Sequence, residues 1–86
     1  MKHFYSEIKG VTLTFSDIQE DGGLGTMRFR FDRDHDDRDS DFAEGCIPQF
    51  VFDKAFGFSE AELRDMMHYV RNNVLLMWQL AQEAKR

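Results

Sequence analysis

Gly57-Phe58-Ser59-Glu60-Ala61-Glu62-Leu63 opens the segment whose reading decides the fold. Ser59 is a helix N-cap, and Glu62, three residues on, completes a capping box. Phe58 before the cap and Leu63 at the fourth helical position form a hydrophobic staple. From there Leu63, Met67, Val70, Val74, Met77, Ala81 and Ala84 recur at alternating spacings of four and three, which places them on one helical face. Met66, Tyr69, Asn73 and Leu80 widen that face, and Arg64, His68, Arg71, Asn72, Gln79, Gln82 and Glu83 form the polar side. The pattern predicts a helix over 59–84 with Ser59 as its cap, the helical run from about Glu60 to Ala84 being about 37 Å long at 1.5 Å per residue. Acids in its first turn and Lys85-Arg86 at its end suit the helix dipole. Near Val74-Leu75-Leu76-Met77-Trp78 the apolar surface spreads almost around the helix, more than one sheet covers. Leu75, Leu76 and Trp78 are therefore candidates for self-association or docking, and Asn73 for fixing a helix register across a dimer.

Upstream the period changes from 3.6 to two. Val11, Leu13 and Phe15 alternate with Thr12, Thr14 and Ser16, and Met27, Phe29 and Phe31 with Thr26, Arg28 and Arg30. Both runs read as strands with one apolar face. The Gly-rich stretch 20–25 joins them as a hairpin. Residues 4–8 extend the first strand, with Gly10 as a bulge or bend. Residues 33–45 lack periodicity and read as an acidic loop. Residues 46–53 resume a strand, with Pro48 near its start or on an edge. The predicted fold is α+β: one domain over 1–86, its sheet spanning 4–53 with three to four antiparallel strands, packed against one long C-terminal helix.

Eighty-six residues suffice for one core, and 42% of them are hydrophobic, a globular composition. One cysteine, Cys46, excludes an intrachain disulfide and Cys-rich zinc sites. Beside a strand it reads as a small buried hydrophobe. The start shows no apolar signal region, and no apolar run approaches the roughly eighteen residues of a membrane helix. A cytoplasmic protein of bacterial or phage type, with no membrane partner, is the expectation.

The net charge of −5 is lopsided. Residues 32–44 hold Asp32, Asp34, Asp36, Asp37, Asp39, Asp41 and Glu44 against Arg33 and Arg38, and the remainder carries nine acids and nine bases. All the imbalance lies in one segment, which disfavours direct nucleic-acid binding and leaves a protein partner with a basic surface, a metal ion or plain solvation of a charged run as the explanations. The spacing of Asp32, Asp34 and Asp36 imitates calcium-loop ligands, but the sixth position is Asp37 rather than Gly, Ala43 takes the twelfth, and a strand precedes the loop. A calcium module centred on 32–44 stands as the alternative. Nothing resembles a nucleophile–base–orienter set, so no enzyme, cofactor or resident metal is expected. Arg28 and Arg30 share the outer sheet face with Thr12 and Thr14, which makes a small-ligand surface the second alternative.

The run 57–63 followed by Val70, Asn73, Leu75-Leu76 and Trp78 resembles the C-terminal strand and helix of a family of small bacterial domains of unknown function, often encoded in toxin–antitoxin neighbourhoods. That family carries a His-x-His element on an earlier strand. The comparable place here, Arg33-Asp34-His35-Asp36-Asp37, holds one histidine, so no functional residue is carried over. The resemblance implies a small regulatory, partner-binding protein. The expected function is a non-catalytic protein-binding regulator or inhibitor acting through the acidic patch. An antitoxin-like protein or a phage-encoded inhibitor of a nucleic-acid-binding defence complex would have this design, either one as a possible homodimer.

Overall fold

Two tight turns organise the first half of the chain. Lys9 and Gly10 (φ 52° and 81°) join β1 (Lys2–Ile8) to β2 (Val11–Ser16), and Gly22 and Gly23 (φ 61° and 88°) join β3 (Gln19–Asp21) to β4 (Leu24–Arg33). Positive φ at both central residues is what a type I′ hairpin requires, and that turn follows the natural twist of the strands. The computed structural model describes residues 2–84, with Asp21 described by its backbone. Beyond β4 come β5 (Asp41–Ile47), β6 (Val51–Phe56) and the helix α1 (Glu60–Ala84). The order across the sheet is β1-β2-β4-β5-β6, with β3 pairing the start of β4, and every pairing is antiparallel.

The sheet thus has six strands rather than three to four. The predicted hairpin is present as β2 against β4, with Leu13 opposite Phe31 and Phe15 opposite Phe29. The extra strands come from segments whose alternation is chemically muted. Residues 4–8 belong to a separate strand that folds back at Lys9-Gly10 instead of prolonging β2. Of the predicted loop 33–45 the centre, 34–40, does connect β4 to β5, while Arg33 ends β4 and 41–45 begin β5. Burial alternates strictly along β5, yet its inward positions are Asp41, Ala43, Gly45 and Ile47, a set that hydropathy does not recognise. Residues 46–53 hold the end of β5, a turn with a cis Ile47–Pro48 peptide, and the start of β6.

The helix begins as its cap prescribes. The Glu62 amide donates to Ser59 Oγ at 3.1 Å and the Ser59 amide to Glu62 Oε1 at 2.9 Å. Lys85 and Arg86, expected to complement the dipole, lie outside the described residues. α1 runs antiparallel to β4: Glu62 meets Arg33 at the strand's end, and the Trp78 ring covers Gly25 near its start. Val70, Met77 and Ala81 are buried against Leu13, Phe15, Met27, Phe29 and Phe31. Trp78 packs on this core rather than joining the exposed apolar surface. A Cβ on Gly25 would stand 3.1 Å from its ring, so the glycine makes the seat. Asn73, a candidate for a dimer register, is engaged within the chain: it accepts from the Tyr5 hydroxyl at 2.6 Å and donates to the Tyr69 carbonyl.

One helix is about 10 Å across, while five strands at about 4.8 Å spacing make a wider floor. Grooves therefore remain on both flanks of α1. No helix among the described residues is long and apolar enough to cross a membrane.

Candidate functional site

Seven acids of one short segment meet three different fates. Asp32 and Glu44 stand on the outer sheet face, on neighbouring strands. Arg30 donates to Asp32 through Nε at 2.8 Å and to Glu44 through a terminal nitrogen. Arg28 reaches Glu44 at 3.7 Å and binds both oxygens of Asp53 at 2.8 and 2.9 Å. The result is a ladder of alternating sign, Asp32–Arg30–Glu44–Arg28–Asp53. It pairs the charges of the face on which Thr12 and Thr14 also lie, three carboxylates with two guanidinium groups. Hydrogen bonding to Asp32 and then Glu44 raises the Arg30 pKa, and the Arg28 bridge holds the Asp53 carboxyl below its usual range.

Asp41 points the other way. It is the one buried charged residue among those described, 1% exposed. Its Oδ2 accepts from Arg33 Nε at 2.7 Å and from His35 Nε2 at 2.7 Å. Burying an anion is costly unless it is paired and hydrogen-bonded, and these two donors supply both. Arg38 also approaches His35 Nε2, at 3.1 Å. An Nε2–H that donates to the buried carboxylate has no lone pair left for Arg38, and the buried anion is the stronger claimant. The His35 hydrogen bond, then that of Arg33, holds the Asp41 carboxyl below its usual range.

Arg33 does more than pair Asp41. A terminal nitrogen donates to Glu62 at 2.6 Å, and its guanidinium lies 4.5 Å over the Phe58 ring. One side chain thus ties the foot of the β4–β5 hairpin to the helix cap. Gly57 is shaped by the same cluster. Its φ is 87°, and a Cβ there would fall 1.9 Å from Asp41 Oδ1.

The remaining four acids occupy the hairpin tip. Asp34, Asp36, Asp37 and Asp39 are all exposed. Asp34 accepts from Ser40 Oγ at 2.8 Å, and among the described residues none of the four is ion-paired. Their oxygens do not converge. Asp32 and Glu44 face the outer arginines, Asp41 faces inward and the tip faces solvent, and among the described residues no group of three potential ligands is placed to hold a metal. This weighs against the calcium module expected as the alternative.

The candidates on α1 separate. Leu75 is 84% and Leu76 50% exposed, on the helix side away from the sheet, whereas Trp78 is half-buried on the core. On the outer face a depression of about 180 Å³ is lined by Lys2, Thr14, Ser16, Arg28, Arg30 and Glu44, but both arginines already hold carboxylates. Cys46 is a free, partly buried cysteine on that face.

Sequence reasoning placed all seven acids in one patch and missed that Asp41 is a structural group with Arg33 and His35 as its partners. The available signal was the small-residue alternation Ala43, Gly45 after Asp41. It marks a strand whose inward side begins at the aspartate. Compared with protein-family models, curated proteins and solved structures, the chain matches none.

Proposed function

We propose that this chain is a non-catalytic, protein-binding regulator or inhibitor that captures a basic partner surface with the tip of its β4–β5 hairpin. The observation carrying this reading is the division of the acids. Three are neutralised by arginine or histidine, and Asp34, Asp36, Asp37 and Asp39 stand in solvent on an arm whose foot is clamped by Arg33. Carboxylates concentrated at a protruding tip steer a cationic partner during encounter and act mainly on the association rate. A clamped foot lowers the ordering cost of the bound arm. The exposed pair Leu75 and Leu76 offers a further apolar contact, for the same partner or for a second copy. An antitoxin-like regulator or an inhibitor of a nucleic-acid-binding protein would work in this way.

The test is affinity capture from host lysate with wild-type bait and with D36N/D37N/D39N bait, at low and high salt. The expected result is a partner retained by the wild type at low salt, lost at high salt, and captured more slowly by the variant. A partner held equally by both baits at every salt concentration would remove the hairpin tip from the function.

A further inference from the structure

The flank of α1 facing β6 carries a second surface, opposite in sign to the hairpin tip. β6 ends the sheet, and its far edge pairs with no strand among the described residues. Between that strand and α1 runs an open groove of about 680 Å³. Phe50, Phe52, Leu63 and Met67 supply an apolar floor, and Arg64, His68 and Arg71 line the helix side at spacings of four and three. On the opposite flank Tyr5, Ser6, Tyr69 and Asn73 bond across from helix to strand. Among the described residues no side-chain hydrogen bond or ion pair closes the β6 flank in this way, and the Arg71 guanidinium lies 4.5 Å over the Phe50 ring.

The groove carries more positive than negative charge. Every arginine of β4 is ion-paired, yet among the described residues neither Arg64 nor Arg71 has a carboxylate partner. Glu60, at the groove's end, is its single lining acid. An acidic chain therefore keeps two free guanidinium groups and an imidazole together above greasy ground. Stacking on Phe50 fixes the stem of Arg71 and leaves its planar donors free for a carboxylate.

We infer that the groove between β6 and α1 binds an extended segment of a partner protein in which acidic and apolar side chains alternate. A groove between an edge strand and a helix is a recurrent seat for extended peptides. The strand edge offers main-chain hydrogen bonds, and pockets take alternate side chains. Here the apolar side chains enter over Phe52, Leu63 and Met67, and the carboxylates meet Arg64 and Arg71. The six residues of β6 span about 20 Å, which sets a segment of about six residues. This surface is independent of the hairpin tip, and a protein using both would bridge a basic and an acidic partner.

Phage-displayed random dodecapeptides panned against the full chain test the inference. Enriched peptides are expected to carry Asp or Glu interleaved with large apolar residues. They should bind R64E/R71E more than about tenfold more weakly, the loss typical of an arginine anchor, while D36N/D37N/D39N keeps full affinity. On wild-type protein their amide shift changes should fall on 50–56 and 63–71, a readout that does not depend on the variant's folding. Absence of enrichment overturns the inference. So does enrichment of peptides without acids, equal binding to R64E/R71E, or shift changes centred elsewhere.

Discussion

Asp41 shows how much one side chain can decide. Its pKa is depressed in the folded chain, so its contribution to stability is fully present above the ordinary carboxylate value of 3.8 and is lost as the pH falls through the lower folded value. Glu62 behaves alike, held down by Arg33 and then by the Ser59 amide. Thermal melts across the acid range should show D41N with a lower Tm at neutral pH and a flatter acid limb than the wild type. Identical acid limbs would show that Asp41 is not the group being titrated. The glycines at residue scale are as demanding. A Cβ on Gly45 would sit 2.3 Å from the Val51 carbonyl oxygen and 2.5 Å from the Phe29 ring. Gly45→Ala is therefore expected to cost about 1–3 kcal/mol in a denaturant melt, the usual range for overpacking. None of this was legible in the sequence. Asp41 is one of seven similar acids, and what separates it from Asp39 is the parity of a strand that begins at position 41.

At the scale of elements, legibility followed chemistry. The helix and the β2–β4 hairpin were readable because Leu63, Val70 and Met77 keep the helical period and Leu13, Phe15, Phe29 and Phe31 keep the period of two. β5 escaped because its inward row is Asp, Ala, Gly and Ile. β1 escaped because its turn places Lys9, an ordinary L residue, at positive φ. That position is improvable. Lys9→Asn creates an Asn-Gly type I′ turn and should raise stability by about 0.5–1 kcal/mol, measured as a shift of the urea midpoint at constant m value. At the other end of the chain Ser59→Ala removes one half of the capping box and should cost about 1 kcal/mol. The candidate site divided in the same way. The tip acids lie where the charge run placed them, whereas the Arg33 clamp joins residues 29 apart in sequence and leaves no local pattern.

For the whole molecule, the arrangement of charge matters more than its total. The outer sheet face pairs its charges through the Arg28 and Arg30 ladder, the tip concentrates negative charge, and the β6 flank of α1 keeps cations that have no carboxylate partner among the described residues. The lopsided sum seen in the sequence therefore resolves into separate poles. Leu75 contributes little to the monomer at 84% exposure. Leu75→Lys should leave the unfolding free energy from a denaturant melt within about 0.5 kcal/mol of wild type. If Leu75 and Leu76 unite two copies, L75K/L76K should convert a dimer into a monomer by light scattering. A monomeric wild type would confine that pair to contacts with other proteins. Arg33 finally gives these poles a mechanical relation. It holds residue 41 at the root of the acidic arm and residue 62 in the first turn of α1, so one side chain joins the two. Displacing the root of the arm would therefore cost bonds on two elements at once, because the same guanidinium serves both.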